Sequence, residues 1–104
     1  MLIVAKRSAP AVPYAAMAHH LLLYEYVVDM AKRRTAHREA HLAHVGEQRQ
    51  AGHITMAGAF DPPLGAALIF ADVERADVEA FVAADPYQAA GLITSWRIER
   101  WNLV

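Results

Sequence analysis

The sequence predicts an α+β domain whose elements follow the order βαββαβ. Two observations support this order. Four apolar segments of strand length are bounded by turns that contain Gly, Pro or Asp. Two segments with apolar residues at helical spacing follow the first and the third of these strands. A chain of 104 residues forms one domain, because it is too short to bury two independent cores.

The first strand is predicted to follow an N-terminal arm. Residues 1–20 place prolines among alanines without a regular period, so the domain is expected to span residues 21–104. The arm either packs on the domain or is a flexible leader. Residues 21–28 form a continuous apolar and aromatic run, typical of a strand buried on both faces. We interpret Glu25, which interrupts the run, as a carboxylate near the strand's edge rather than a site residue, since buried charges are rare unless paired.

The first helix is predicted over residues 31–51, and the glycine that follows ends it in the C′ position. On a helical wheel of about 100° per residue, Leu42 and Val45 form its apolar stripe. Arg38 falls in the same sector and His41 lies at the margin of the stripe. Polar side chains thus stand where a packed helix normally places apolar ones.

The second half of the chain supplies two more strands, a helix and a last strand. Strands are predicted over residues 53–59 and 65–71. Asp72 is expected to cap a helix that reaches about residue 84, and residues 93–101 supply the last strand. This order is the ferredoxin-like arrangement, an antiparallel sheet with both helices on one face.

The uncovered face of that sheet predicts a homodimer. Strands that are apolar on both sides need a second cover, and the hydrophobic content of 56% exceeds the usual 45–50% or so. Two copies packed sheet against sheet would form a dimeric α+β barrel with a cavity beside the first helix of each subunit. A higher oligomer stays open at this point.

Composition excludes several classes of function. The net charge is −1 and basic residues are scattered among carboxylates, which disfavours nucleic acid as a partner. The chain has no cysteine, so it has no thiolate nucleophile and no thiolate zinc site. No apolar run approaches the 18 or so residues of a membrane span, and the order of charges at the start is the reverse of a signal peptide's. We expect a cytoplasmic protein that does not act on membranes.

Three histidines on the first helix raise the question of a metal site. His37, His41 and His44 lie with Gln48 within an arc of roughly 60°. Two histidines so spaced can share a divalent ion, but a catalytic site normally adds a third ligand from elsewhere, and nothing marks one. We therefore interpret them as solvated residues of a helix face and predict no metal, while His37, His41 and His44 stay open as an alternative.

His41 and Asp85 are the pair best suited to proton transfer. An imidazole exchanges a proton near neutral pH, and a carboxylate on its other nitrogen fixes its tautomer and orientation. Asp85 precedes Pro86, which makes a sharp turn there. The same Asp-Pro sequence commonly belongs to a residue that only caps a short helical stretch, and spacing alone favours this capping alternative over catalysis.

Arg38 and Tyr87 are candidates for substrate binding. Arg38 beside a cavity would bind a carboxylate substrate or hold Asp85, although a surface salt bridge to Glu39 or Glu47 is the simpler alternative. Tyr87 either packs in the core or offers its hydroxyl to the cavity. The sequence contains no phosphate loop, nucleophile elbow, dinucleotide fingerprint or His-Glu-x-x-His motif, so we expect no cofactor.

The chain resembles the YciI-like family over about residues 21–101. The resemblance rests on an Arg-x-x-His-Leu motif, an Asp-Pro-Tyr motif followed by Gly, two short glycine-containing segments and an aromatic last strand. The matching residues are Arg38, His41 and Leu42; Asp85, Pro86, Tyr87 and Gly91; Gly52 and Gly58; and residues 97–101. Two positions depart from the family's usual proline, Glu39 in the helix and Ala59 after the second strand.

The resemblance implies a ferredoxin-like fold, a dimeric α+β barrel and an active site built on His41 and Asp85. The family is similar in fold to muconolactone isomerases, which suggests lyase or isomerase chemistry. Our leading hypothesis is therefore a cofactor-independent lyase or isomerase that moves a proton on a small carbonyl or lactone compound. A non-catalytic small-ligand-binding or interaction domain is the alternative, and a cofactor-free monooxygenase is a third possibility.

Overall fold

The computed structural model describes residues 17–104, so most of the predicted N-terminal arm lies outside the described residues. The described chain contains four strands, four α-helices and one 3-10 turn. They are β1 (His19–Tyr26), α1 (Met30–Arg33), the 3-10 turn (Arg34–Ala36), α2 (Arg38–Gln50), β2 (Ile54–Ala59), β3 (Gly65–Ala71), α3 (Arg75–Ala84), α4 (Pro86–Ala89) and β4 (Ile93–Arg100).

The strands form one antiparallel sheet in the order β2-β3-β1-β4. Side chains alternate along β1, and Leu22 faces Leu68 of β3 on one side and Ile98 of β4 on the other. These residues join the apolar side chains of α3, including Val78 and Val82, in one core between the sheet and the helices. The predicted ferredoxin-like α+β fold is confirmed.

Two predictions about the helices are wrong. The first helix is not continuous from residue 31, because α1 passes into a 3-10 turn before α2 begins at Arg38. Asp72 does not cap the second helix; it adopts a left-handed conformation with φ of 60°. Glu74 is the N-cap instead, in a capping box with Asp77. The glycine predicted to follow the first helix is confirmed, with φ of 82°.

The buried side of α2 differs from the predicted stripe. His41 and Val45 are the buried residues of this helix, whereas Leu42 is 51% exposed. Positions four apart share a face of a helix, so His41 and Val45 lie on the same side of α2. His41 therefore lies at the centre of the packed face rather than at its margin.

The second face of the sheet carries apolar side chains that no helix of residues 17–104 covers. Leu21, Leu23 and Ile69 are half-buried there and Met56 is 65% exposed. Glu25 is exposed on the same face, near the end of a central strand. The first strand was predicted to be buried on both faces, but within one described chain it is buried on one face only. Across residues 17–104, no helix has the length and apolar character needed to cross a membrane.

Gly65 is predicted to be essential for the pairing of β3 with β1. A Cβ atom at Gly65 would lie 2.6 Å from the backbone oxygen of Tyr24, so Gly65→Ala forces the two strands apart. We expect the free energy of unfolding to fall by roughly 1–3 kcal/mol, measured by urea denaturation. Gly46→Ala is the control, because nothing lies within 4 Å of its added Cβ and alanine favours a helix interior by about 0.5–1 kcal/mol. Equal stability of the two variants would contradict this reading of the contact.

Candidate active site

Asp85 stands at the junction between α3 and α4. Its backbone is extended, with φ of −69° and ψ of 125°, which is the conformation favoured before a proline. Pro86 occupies the first turn of α4, and the Asp85 side chain accepts a hydrogen bond from the backbone N–H of Tyr87. The local sequence thus ends one helix, begins the next and turns the carboxylate inward.

The Asp85 carboxylate is fully buried and accepts three hydrogen bonds. Oδ1 accepts from His41 Nδ1 at 2.8 Å and from the Tyr87 N–H at 2.9 Å, and Oδ2 accepts from the Tyr24 hydroxyl at 2.8 Å. Burial by itself raises the pKa of Asp85, but the hydrogen bonds from His41, Tyr87 and Tyr24 outweigh it and lower the pKa. Asp85 is therefore ionised at neutral pH.

His41 is fixed on two sides. Its Nδ1–H donates to Asp85, and its ring stacks on Tyr87 with centroids 3.8 Å apart and planes 6° from parallel. The bond to an ionised carboxylate places the proton on Nδ1 and leaves Nε2 as the basic nitrogen. Only a small part of the side chain reaches the surface, and it does so in a cavity that His41 helps to line.

The cavity has a volume of about 240 Å³ and lies between the start of α2 and strands β2 and β3. Its walls are mostly apolar, and its polar groups gather near His41. The lining residues are Tyr26, Arg34, Arg38, His41, Leu42, Val45, Ala57, Gly58, Ala59, Ala66, Leu68 and Tyr87. Such a site suits a small, partly apolar ligand, since drug-sized ligands occupy pockets of roughly 300–1,000 Å³.

Two tyrosines, Tyr26 and Tyr87, line this cavity. Burial raises the pKa of Tyr26, and burial also raises the pKa of Tyr87, although Arg34 and Arg38 act against the second shift. Both hydroxyls therefore stay protonated at neutral pH. They can donate a hydrogen bond to a ligand oxygen.

The structure brings together the residues that the sequence nominated. His41 and Asp85 form the expected pair, and Tyr87 both stacks on the imidazole and lines the cavity. Arg38 also lines the cavity, but within residues 17–104 it forms no ion pair with Glu39, Glu47 or Asp85. The Asp85 side chain also caps α4, as the alternative interpretation expected. The same carboxylate therefore accepts from His41 and from the backbone N–H of Tyr87.

Sequence reasoning missed two contributors to the site. Tyr24 donates to Asp85, and Arg34 lines the cavity. A signal for the first was present, because Tyr24 and Tyr26 are two residues apart and share a strand face. Arg34 belongs to a run of three basic residues, 32–34, and in the sequence only its spacing of four from Arg38 indicates a place beside the cavity.

The histidines of α2 do not converge on a metal. His44 donates from Nε2 to the backbone oxygen of Phe81 at 2.9 Å and stacks on that ring, while His41 is engaged with Asp85. In the part of the chain that the structure describes, no group of three or more His, Cys, Asp or Glu residues is placed to hold a metal ion. The interpretation as solvated residues is wrong for His41, which is buried.

Comparison with models of protein families identifies the family of this chain. The model of the YCII-related domain matches residues 17–102, which include both members of the His41–Asp85 pair. The chain belongs to the YCII-related family. The resemblance to YciI-like proteins noted from the sequence motifs is thereby confirmed.

A solved structure of another protein has a similar fold. It is the 5-chloro-2-hydroxyhydroquinone dehydrochlorinase TftG from Burkholderia phenoliruptrix AC1100, in complex with 2,5-dihydroxybenzoquinone. The two chains are 25% identical with a TM-score of 0.70, and the match covers 80% of this chain and 92% of that one. A search of curated proteins finds no significant match.

Asp85→Asn is predicted to remove a pH-dependent part of the stability. The folded pKa of Asp85 is lowered, so its contribution is complete above the unfolded pKa of about 3.9 and is lost as the pH falls below it. We expect the variant to lose about 1–3 kcal/mol at pH 7. Its deficit relative to the wild type should shrink between pH 5 and pH 3, as measured by urea denaturation.

The control for Asp85→Asn is Asp29→Asn. Asp29 forms an exposed pair with Arg33 at 3.7 Å, and such pairs contribute about 0–1 kcal/mol. Its variant should show little change at either pH. A deficit of Asp85→Asn that stays constant from pH 5 to pH 3 would contradict the proposed ionisation.

Proposed function

We propose that this protein is a cofactor-independent lyase or isomerase that transfers a proton on a small carbonyl or lactone compound. The observation that carries the proposal is the bond from His41 Nδ1 to the buried Asp85 at 2.8 Å. This bond orients the imidazole so that Nε2 serves as the base in the cavity. A carboxylate in this position also stabilises the imidazolium that forms when His41 takes up a proton.

The proposed reaction begins with removal of a proton from a carbon next to a carbonyl, or from a ring hydroxyl. The proton moves to His41 Nε2. The pair of a broken C–H bond becomes the C=C bond of an enolate as the C=O π pair moves onto oxygen, whereas the pair of a broken O–H bond stays on its own oxygen. In a lyase reaction the enolate re-forms its carbonyl, its C=C pair forms a new double bond to the next carbon, and a group on that carbon leaves with its bonding pair. In an isomerase reaction His41 returns the proton to a different carbon.

Arg38 and Tyr87 are proposed to bind the substrate around this base. Both line the cavity, and Arg38 is not engaged by a carboxylate in the described part of the chain. Its guanidinium is suited to a substrate carboxylate, and the protonated Tyr87 hydroxyl to the oxygen on which charge develops. Each step uses protein groups alone, so the proposal includes no cofactor.

The dehydrochlorinase supports the lyase form of this proposal. That protein shares the fold, its name denotes loss of chloride, and its structure holds a dihydroxylated quinone. A small ring with several oxygens also suits the size and mixed polarity of the cavity described above. From this structure we infer for the present chain only a class of substrate, the small oxygenated carbonyl compounds.

A binding module is the second candidate, because the hydrogen bonds of Asp85 also organise the turn before α4. The Tyr87 N–H and the Tyr24 hydroxyl both donate hydrogen bonds to this carboxylate. In that case His41 would shape the cavity wall without moving a proton. The two candidates differ in whether the His41 ring is needed for turnover or only for binding.

We propose that the protein acts as a homodimer paired through the uncovered face of its sheet. The centre of that face is apolar, with Leu21, Leu23 and Ile69 half-buried in the isolated chain. Glu25 and Arg97 lie on the same face, which supplies charges of both signs for a two-fold symmetric contact. A cytoplasmic location and a domain over residues 21–104 stay predictions.

His41→Gln is predicted to abolish turnover while the fold persists. We expect at least a hundredfold loss, since general acid–base catalysis contributes about 10²–10⁴-fold. The assays are chloride release from 5-chloro-2-hydroxyhydroquinone and incorporation of solvent deuterium into a panel of small lactones and enolisable carbonyl compounds. Circular dichroism checks the fold.

His44→Gln is the matched control for that experiment. His44 lies on the same helix but contacts Phe81 rather than the cavity, so its variant should keep full activity. Unchanged turnover in His41→Gln would remove the proposed mechanism. Absence of turnover in the wild type, with ligand binding intact, would instead favour the binding module.

Ile69→Glu is predicted to separate the dimer. It buries a charge at the centre of the apolar face, where Ile69 lies between Leu21 and Met56. Sedimentation velocity should show a folded monomer. The control Val28→Glu changes a side chain that is 90% exposed and should remain dimeric. A wild type that sediments as a monomer would contradict the proposed pairing.

A further inference from the structure

The charged groups that line the cavity are both cationic. Arg34 and Arg38 are the ionisable lining residues other than His41 and the tyrosines, and no Asp or Glu lines the cavity. Within residues 17–104 neither arginine takes part in an ion pair. The nearby charge of Asp85 is already held by three hydrogen-bond donors. Among the described residues, the positive charge at the cavity therefore has no carboxylate partner.

Arg33, the basic residue next to Arg34, has a carboxylate partner and lies outside the cavity. Arg33 pairs with Asp29 at 3.7 Å and does not line the cavity. Arg34 is half-buried, whereas Arg33 is exposed. The local helical geometry explains the difference, because Arg34 follows the fully buried Met30 by four residues and so lies on the packed side of the turn.

The spacing continues into α2. Arg38 follows Arg34 by four residues and Leu42 follows Arg38 by four, and all three line the cavity. Arg34 begins the 3-10 turn and Arg38 begins α2, so the two arginines reach the same cavity from consecutive elements. Both also oppose the raised pKa of Tyr87, which is consistent with their position close to its hydroxyl.

We propose that Arg34 and Arg38 form an anion clamp and that Arg34 is a specificity-determining residue for a small, planar organic anion. The proposal rests on the proposed function and narrows its substrate class. The apolar walls accept one ring, and the clamp accepts its acidic group, either a carboxylate or the ionised enol of a hydroxyquinone. The guanidinium fork matches the paired oxygens of a carboxylate in particular. A neutral ring of the same size lacks this contact.

Binding of four ring compounds to the full-length protein tests the clamp. The charged probes are 4-hydroxybenzoate and 2,5-dihydroxybenzoquinone, and their neutral counterparts are 4-hydroxybenzamide and hydroquinone. Isothermal titration calorimetry at pH 7 should show at least one anion bound tenfold or more tightly than its neutral counterpart. The pair that shows the difference identifies the acidic group. The preference should weaken as the salt concentration rises, because salt screens charge attraction.

Arg34→Gln should abolish most of this preference, with the affinity for the neutral probe changing less than threefold. Arg33→Gln is the matched control; it makes the same charge change one residue away, outside the cavity, and should keep the wild-type preference. The clamp is overturned if no anion is preferred by the wild type. It is also overturned if Arg34→Gln and Arg33→Gln behave alike.

The binding experiments test the clamp, and the turnover of His41→Gln tests the proposed function, so the failure of one can be told from the failure of the other. Turnover that survives in His41→Gln refutes the proton-transfer mechanism, even if the anion preference is present and depends on Arg34. Conversely, loss of turnover in His41→Gln with an unchanged preference in Arg34→Gln refutes the clamp alone. The salt titration of the wild type supplies a readout that does not depend on the folding of any variant.

Discussion

The buried carboxylate of Asp85 is the constraint on which the site depends. A charge with no exposure to water is costly unless hydrogen-bond donors surround it. Here the donors come from three elements: the Tyr24 hydroxyl from β1, the His41 imidazole from α2 and the Tyr87 N–H from α4. Satisfying the carboxylate therefore fixes the sheet, the first long helix and the last short helix relative to one another. The same bonds orient the imidazole.

The hydrogen bonds of Asp85 contribute both to the stability of the fold and to the orientation of the His41 imidazole. The hydrogen bonds that keep Asp85 ionised also place the proton of His41 on Nδ1 and leave Nε2 basic. Stacking on Tyr87 limits rotation of the ring, so the imidazole is held in place before a ligand arrives. An imidazole that is fixed by an ionised carboxylate and faces a mostly apolar cavity is a suitable group for the proposed proton transfer, and the two arginines supply the opposite charge that an anionic substrate would meet.

Local patterns predicted much of the fold. The third strand was predicted with its observed bounds, Gly65–Ala71, because a run of small and then apolar residues begins and ends at turn residues. The start of the second helix was misplaced, since Asp72 is a helix-capping residue type but adopts a left-handed turn here. The break before α2 was missed because a 3-10 turn has nearly the same composition as the helix that it interrupts.

The sequence by itself determined the order of the elements, the absence of cysteine chemistry and the identity of His41 and Asp85 as candidates, because side-chain chemistry and periods of 2 and 3.6 are local properties. Only the tertiary structure decided that these two groups, 44 residues apart, lie within hydrogen-bond distance. It also decided that Tyr24 completes the contacts of the carboxylate and that Arg34 enters the cavity. Such contacts depend on the phase of each helix against the sheet, which is set by packing of the whole core rather than by any one segment.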